Sequence, residues 1–183
     1  MWDGARYVAL ASEGGHADFA PRNEREIALL RYCLQRMDHV SWERLVSGPG
    51  LVHIFEFLRD VERQTVPAPL AAKLDGKDDP AEITAAALAG VPIAAAAVDL
   101  FVTLYGAEAG NLALKLRAIG GVYLGGGIAP RLLAKLADGG FLAAFAAKGR
   151  FRELLTGMPV RVIVDGDTAL YGAARHALAR LGR

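Results

Sequence analysis

A carboxylate and an imidazole stand three positions apart in this sequence, as Glu13 and His16, with Gly14 and Gly15 between them. Glycine adopts positive φ angles easily, so the pair predicts a sharp turn that points both side chains into one space. Carboxylate oxygens accept hydrogen bonds and a neutral imidazole both accepts and donates, which suits a ligand rich in hydroxyl groups. The alternative is a plain glycine turn whose Glu and His satisfy nearby backbone groups, and the pattern alone favours that alternative.

Two other motifs could also carry chemistry. Glu43 falls in the first turn of a predicted short helix, where a carboxylate complements the helix dipole, and taken alone the residue favours that structural role. The triplet Gly125-Gly126-Gly127 follows the apolar stretch Gly121–Leu124 and precedes a predicted helix. A strand, a glycine loop and a helix start can bring backbone N–H groups to a nucleotide, although a tight turn explains the triplet equally well.

The N-terminal third of the chain is predicted to position the first of these motifs. Arg6–Ser12 has the aromatic and aliphatic content of a strand that ends at the glycine pair. Asn23 is predicted to cap a helix, with Glu26 completing the reciprocal capping box. The remaining predicted elements of this part are a short helix that begins at Ser41 and ends at Gly48, and a helix over Leu51–Val61.

The rest of the chain is predicted to be helix-rich with two short strands. Residues 64–79 contain prolines, a glycine and a charged run, and are predicted to form a loop with about one helical turn. A long, alanine-rich helix over Ile93–Arg117 is apolar on nearly all sides, so it is predicted to be buried. The other predicted elements are helices from Pro80 to Leu88, Leu132–Ala137 and Phe141–Ala146, strands Gly121–Leu124 and Val160–Val164, and a final helix Thr168–Leu181 capped by Asp167.

Composition excludes several classes of function. The chain has 183 residues, 53% of them hydrophobic, and a net charge of +1, so it predicts one domain with a real core and no nucleic-acid partner. The apolar region 91–119 is interrupted by charged side chains and is not expected to span a membrane. The single Cys33 lies in an apolar helical pattern, is predicted to be a core residue, and fits a reducing compartment. With no signal-peptide pattern and no metal-ligand spacing, the prediction is a cytoplasmic protein without a metal site.

Seven blocks of sequence then occur in an order that resembles a known family. They are Glu13-Gly-Gly-His16, Asp18-Phe-Ala-Pro21, His39-Val-Ser-Trp-Glu-Arg44, Ser47-Gly-Pro-Gly-Leu51, Gly110-Asn-Leu-Ala-Leu114, Gly120–Arg131 and Gly149-Arg-Phe151. Together they resemble the bacterial glucokinases of the actin-like ATPase, or hexokinase-type, superfamily. The resemblance covers essentially the whole chain, and it implies an α/β fold: the C-terminal part of the actin-like ATPase (ribonuclease H-like) large domain, helix-rich with an incomplete sheet.

The resemblance also implies roles for the motifs. Glu13, His16 and Glu43 would bind glucose, and Gly125, Gly126 and Gly127 would bind the adenosine of ATP, which acts with Mg²⁺ in the intact enzyme. That enzyme would make glucose 6-phosphate in glycolysis. Asp18 matches the family as well, but we expect it to form an Asx-type turn before Pro21.

The family's catalytic machinery has no counterpart in these residues. Its base lies in an Asn-Asp-Phe segment and its phosphate loops are Asp-x-Gly-Gly-Thr-Asn and Gly-x-Gly-Thr-Gly, and none of these strings occurs here. Residues 1–183 are therefore expected to be the C-terminal large domain alone, with no catalytic residue and no kinase activity by itself. Bare sheet edges and a bare apolar face on the final helix predict a homo-oligomer. The alternative function is a non-catalytic sugar-sensing or dimerisation module.

Overall fold

One long helix, Pro92–Leu116, organises the molecule in the computed structural model, which describes residues 4–5, 8–74, 77 and 79–181. The described helices are α1 Glu24–Leu34, α2 Gly48–Asp60, α3 Ala68–Leu74, α4 Pro80–Leu88, α5 Pro92–Leu116, α6 Ile128–Arg131, α7 Leu133–Ala137, α8 Gly140–Ala146, α9 Arg152–Thr156 and α10 Thr168–Arg180. The described strands are β1 Val122–Leu124 and β2 Val160–Val162. The helix-rich α/β fold with an incomplete sheet is confirmed.

Helix α5 is buried on several faces, as its composition predicts. It packs against α2, α4 and α8, and its small residues let α8 approach closely. A Cβ atom built on Gly106 or Gly110 would lie under 3.0 Å from the carbonyl oxygen of Phe141 or Phe145, respectively. The two backbones are therefore in direct contact, which only glycine permits at these two positions.

Among the described residues, α5 is the one helix whose length and apolar composition would allow it to cross a membrane. In the structure, 67% of its most apolar 18-residue window is buried inside the protein. Core helices of soluble proteins pass the same test of length and composition.

The caps of α1 and α4 form where the sequence predicts them. The Asn23 side chain accepts a hydrogen bond from the Glu26 N–H at 3.0 Å. The Glu26 carboxylate, however, accepts the backbone N–H of Arg22 at 2.7 Å, so the reciprocal bond of the predicted box goes to the residue before the cap. At α4, the Asp79 carboxylate accepts the N–H groups of Ala81 and Glu82.

The predicted short helix ending at Gly48 is wrong. Residues 42–47 form hydrogen-bonded turns, and Gly48 instead begins α2. The Ser47 hydroxyl accepts the N–H of Gly50 at 3.1 Å, and Pro49 occupies the first turn of the helix. A serine cap followed by proline is a helix-start signal, and here it outweighs the tendency of glycine to end a helix.

The predicted N-terminal strand is also wrong over the residues that can be compared. Residues 8–12 form no strand, while Arg6 and Tyr7 lie outside the described residues. A strand needs a hydrogen-bonded neighbour, and the two described strands pair with each other in a sheet of two. The loop predicted for residues 64–79 contains more helix than expected, because α3 spans seven residues.

Strands β1 and β2 pair in parallel, with Val122, Tyr123 and Leu124 opposite Val160, Arg161 and Val162. Both strands are shorter than the ranges predicted from the sequence. The crossover between them contains α6 to α9, so the carboxyl ends of both strands lie at the same edge of the sheet. That edge carries the glycine triplet.

Helix α10 follows β2 and contributes nothing to the core. None of its residues is buried, and Leu170, Tyr171 and Leu178 are 67%, 61% and 50% exposed. The apolar side chains are bare, as predicted. Asp167 does not cap the helix with its side chain; its N–H instead donates to the Asp165 carboxylate at 2.9 Å.

Candidate functional site

The Glu13–His16 segment folds into a single turn of 3-10 helix over Gly14–His16. The carbonyl of Glu13 accepts the His16 N–H at 3.0 Å, so the two residues belong to the same turn. Neither glycine has a positive φ angle, which corrects the reason given for the glycine pair. A Cβ on Gly15 would lie 3.5 Å from the Cβ of Glu43, which is an ordinary van der Waals contact, so packing at this point does not require glycine either.

A short antiparallel pairing brings the Glu43 turn beside this loop. The N–H of Glu43 donates to the Gly15 carbonyl at 2.9 Å, and the N–H of Trp42 donates to the Ala17 carbonyl at 3.0 Å. Beyond them, Asp18 and Ser41 form an antiparallel bridge. Three consecutive main-chain contacts fix the register of the two segments, so the Glu43 side chain is held next to the loop by backbone geometry.

The pairing places two of the three predicted sugar-binding side chains together. His16 Nε2 lies 3.6 Å from the Glu43 carboxylate, and these side chains are 61% and 59% exposed. Glu13 is exposed as well and immediately precedes the 3-10 turn, but it does not line the cavity that His16 and Glu43 share. The Glu43 carboxylate and the His16 imidazole together offer an acceptor and a donor–acceptor ring, which suits hydrogen bonds to a hydroxyl-rich ligand.

Asp18 does not form the predicted Asx-type turn. Its carboxylate lies 2.8 Å from His39 Nε2, and this contact joins the end of the loop to the start of the Glu43 turn. The edge-to-face pair of Phe19 and Trp42 lies beneath, with ring centroids 5.0 Å apart and both residues buried. No local pattern in the sequence indicates the His39 contact, because it joins residues 21 positions apart.

A cavity of about 240 Å³ opens at His16 and Glu43. The residues lining it are His16, Glu43, Arg44, Ser47, Pro49 and His53. Most of its polar groups come from the turn that ends at α2 and from the first half of that helix. A second cavity, of about 300 Å³, lies on the other side of Glu43 and runs to Gly125, with mostly apolar walls that include Trp42 and Tyr105.

The glycine triplet lies at the carboxyl end of β1. Gly126 has a φ angle of 91°, which favours glycine, and Cβ atoms on Gly126 and Gly127 would meet no atom within 4 Å. The triplet lines a cavity of about 170 Å³ together with Val46, Phe101, Tyr105 and Ile128. Helix α6 has only four residues, so the loop and not a helix dipole would determine what binds there.

A larger, mainly apolar cavity of about 550 Å³ adjoins this one, and the two share Phe101 and Ile128. Its walls come from the start of α2, from α4 and from α6, and include Leu51, Thr84 and Arg131. Sequence reasoning missed this cavity because its three walls are far apart along the chain.

The described residues contain no group of three His, Cys, Asp or Glu side chains that could hold a metal ion. The thiol of Cys33 is buried, and burial raises its pKa to about 11, so it is a core residue and not a nucleophile at neutral pH. Lys148 is half-buried: its ammonium group donates to the Ala107 carbonyl at 2.9 Å and contacts Asn111, and desolvation lowers its pKa. It joins α5 to the segment after α8.

A helix-rich α/β unit with a short parallel sheet, a glycine loop at the strand ends and an acidic loop opposite is consistent with part of an actin-like ATPase fold. The sequence profile of the family described as Glucokinase matches residues 1–180, and the chain belongs to that family.

Individual relatives agree with the profile. The chain is 45% identical to a glucokinase of Nostoc sp. over 93% of its length, and 41% identical to a glucokinase of Yersinia pestis over 97% of its length. It covers 54% and 52% of those proteins, so it spans about half the length of the curated relatives it matches. A crystal structure of glucokinase from an Antarctic psychrotroph superposes with a TM-score of 0.78 at 32% identity, covering 90% of this chain and 49% of that one.

Proposed function

We propose that residues 1–183 are the C-terminal large-domain part of an ATP-dependent glucokinase, which phosphorylates D-glucose to glucose 6-phosphate. The observation that carries the proposal is the backbone pairing between the Gly15–Ala17 loop and the Trp42–Glu43 turn, which holds His16 and Glu43 3.6 Å apart. Family membership supports the same assignment. The chain covers only about half the length of its relatives, which is consistent with its being one domain of a two-domain enzyme.

In this proposal Glu13, His16 and Glu43 bind the sugar. Glucose presents hydroxyl groups around an apolar ring, so selective binding needs several fixed acceptors that would remain unpaired with the wrong ligand. The two carboxylates supply acceptors, and the imidazole supplies one donor and one acceptor. The exposure of these side chains fits a site that a second domain would close.

Calorimetric titration of the chain with D-glucose tests the sugar site. We expect Glu43→Gln to weaken binding about tenfold, since hydrogen bonds to a charged group contribute the most. Glu24→Gln is the matched control, because Glu24 is exposed and lies in the first turn of α1. If the two variants bind glucose with equal affinity, Glu43 does not bind the sugar.

The adenosine of ATP is proposed to bind at Gly125, Gly126 and Gly127. The open space above Gly126 and Gly127 and the adjoining apolar cavity fit a ribose and a flat base, respectively. ATP supplies the phosphoryl group when bound. The described residues contain no group of three His, Cys, Asp or Glu side chains that could hold a metal ion by themselves. Mg²⁺ in such sites is held largely by the phosphates of the bound nucleotide, so we propose that it binds together with ATP.

The chain by itself is proposed to be inactive. The family's base and phosphate loops have no counterpart in the sequence, and loss of a general base alone typically costs ~10²–10⁴-fold in rate. A coupled assay of ADP production by the pure chain with glucose, ATP and Mg²⁺ should show no turnover above a blank. Sustained glucose-dependent turnover would reject this part of the proposal.

The expected setting is cytoplasmic, without nucleic-acid or membrane partners, and with a second copy of the chain as partner. A net charge of +1 gives no electrostatic attraction to nucleic acid. Self-association is supported by the bare apolar side chains of α10 and by a sheet that has only two strands in the described residues.

A second candidate is a non-catalytic sugar-sensing module. The chain is 41% identical to a bifunctional protein glk of Paraburkholderia xenovorans and covers 25% of it, so related sequences occur inside much longer proteins. Such a module would bind glucose through the same three residues without turnover. Glucose binding that is lost in Glu13→Ala separates this candidate from a dimerisation domain that binds no sugar.

A further inference from the structure

We propose that His53 is a further hexose-binding residue, which contacts the sugar in the same cavity as His16 and Glu43. This inference rests on the proposed function. His53 lies on α2, ten residues after Glu43, and belongs to none of the three sugar-binding positions proposed above. It lines the 240 Å³ cavity together with His16 and Glu43 and is half-buried there.

The hydrogen bond of His53 fixes what the ring can offer. Its Nδ1 lies 3.1 Å from the backbone carbonyl oxygen of Arg44. A carbonyl only accepts, so Nδ1 carries the hydrogen, and in the neutral ring Nε2 is then an acceptor with a free lone pair. An acceptor is what a sugar hydroxyl needs. Because Arg44 follows Glu43 directly, the same bond joins the imidazole to the turn that presents the carboxylate.

The lining of the cavity matches the two kinds of surface on a pyranose ring. Glu43, His16 and His53 supply acceptors and donors for hydroxyl groups, and the Arg44 guanidinium adds donors. Pro49 supplies an apolar wall for the C–H face of the sugar. The neighbouring 300 Å³ cavity also reaches Glu43, but its walls are mostly apolar and include neither His16 nor His53.

His53 also bounds a further cavity of about 200 Å³, whose lining includes Pro49 and Glu56. The imidazole therefore forms part of the wall between two spaces, and its size limits how far a ligand in the first can extend towards Glu56. A sugar bound at Glu43 would meet this wall. We infer that His53 contributes to selectivity for a single hexose unit.

Imidazole NMR of the intact chain tests the inference without altering the protein. The sequence has four histidines, His16, His39, His53 and His176, and long-range ¹H–¹⁵N spectra report the ring nitrogens of each. We expect His53 to show the Nδ1–H tautomer, and D-glucose to shift the signals of His16 and His53 while leaving His176, on the exposed α10, unchanged. L-Glucose serves as the control sugar and should produce neither shift.

The outcomes separate the inference from the proposed function. A shift at His16 without one at His53 overturns the role of His53 and leaves the sugar site in place. Equal shifts at all four histidines, or equal effects of both sugars, would show unspecific binding and overturn the inference. If neither His16 nor His53 shifts, both the inference and the proposed sugar site are overturned.

A substitution gives an independent measurement. His53→Phe keeps a ring of similar size and removes the acceptor, so we expect glucose affinity to fall about three- to tenfold, the range for a neutral hydrogen bond. His176→Phe is the matched control and should bind as the unmodified chain does. If the two variants bind glucose equally while their melting temperatures match, His53 does not contact the sugar.

Discussion

Helices α5 and α10 have similar compositions, but α5 is largely buried and α10 is exposed. Both are rich in alanine and leucine, and both carry a glycine near the middle, Gly106 and Gly172. About half of the residues of α5 are buried, whereas none of α10 is. Composition therefore does not determine whether a helix is buried. Burial depends on whether other helices or strands pack against it.

The difference has a physical cause. Helix α5 packs against α2, α4 and α8, so each apolar side chain that turns inward removes its surface from water, worth about 1.5–3 kcal/mol for a fully buried large aliphatic residue. The large apolar residues of α10, Leu170, Tyr171 and Leu178, lie on one stripe with Leu181 just after the helix, and all remain exposed. Helix α10 thus has the amphipathic pattern of a packed helix, but no element in the described part of the chain buries its stripe.

The sharpest test of this contrast adds one methyl group to each helix. Gly106→Ala would place a Cβ under 3.0 Å from a backbone carbonyl of α8, which cannot rotate away, so α5 and α8 must separate. We expect a loss of about 3 kcal/mol in the free energy of unfolding, at the upper end for overpacking. Urea denaturation followed by circular dichroism measures it.

Gly172→Ala is the matched control. A Cβ there meets no atom within 4 Å, and alanine is the better helix former by about 1 kcal/mol. We expect an unchanged or slightly higher stability. Equal losses in the two variants would mean that α10 is packed in solution, and the contrast between the helices would be wrong.

A smaller effect is expected at the buried carboxylate of the packed region. Glu26 is fully buried and accepts hydrogen bonds from the Arg22 guanidinium, the Arg22 backbone N–H and the Asn23 side chain. Glu26→Gln removes the charge and one acceptor, and should cost about 2 kcal/mol. Glu24→Gln, in the same helical turn but exposed, should change stability by only a few tenths of a kcal/mol. A loss below that of Glu24→Gln would contradict this assignment.

The packed region should also show a weak acid dependence through Asp60. A hydrogen bond from Arg59, helped by one from Tyr32, lowers the pKa of Asp60 from its usual 3.8 to about 2. Since the folded-state pKa is depressed, the contribution is present above pH 3.8 and is lost as pH falls towards 2. Asp60→Asn should flatten the stability curve in that window, and Tyr32→Phe should flatten it less. An unchanged curve in Asp60→Asn would show that the pair is broken in solution.

The features of the fold that depend on residues close together in the sequence were predictable. The Asn23 and Asp79 caps, the length of α5 and the two short strands follow from local patterns. The parts that depend on distant segments were not. The predicted strand at residues 8–12 would have required pairing with a segment from elsewhere in the chain. The start of α2 was missed for a local reason, because the Ser47 cap and Pro49 outweigh the tendency of Gly48 to end a helix.

The candidate site divides in the same way. The residue types and glycine pair at Glu13–His16 are visible in the sequence, and so is the triplet at Gly125. The contact of His16 with Glu43 requires a backbone pairing between segments 27 positions apart, and hydrophobic periodicity carries no information about such a pairing. The placement of His53 beside both residues has the same origin, because α2 must fold back along the turn that holds Glu43.

The smallest effect on stability, and the most direct test of the bare helix, comes from its apolar stripe. Replacing Leu170, Tyr171 and Leu178 together by serine should change the free energy of unfolding by about 0.5 kcal/mol or less per substitution, because exposed side chains contribute little. The same change should alter assembly if the stripe of one chain packs against that of another. In analytical ultracentrifugation, the unmodified protein should then have a mass above the 19.4 kDa of one chain, and the serine variant should have the mass of one chain. A serine variant of Glu24, Arg31 and Lys115 controls for the number of substitutions. Should the unmodified chain itself sediment as a single copy at micromolar concentration, the exposed stripe does not mediate self-association.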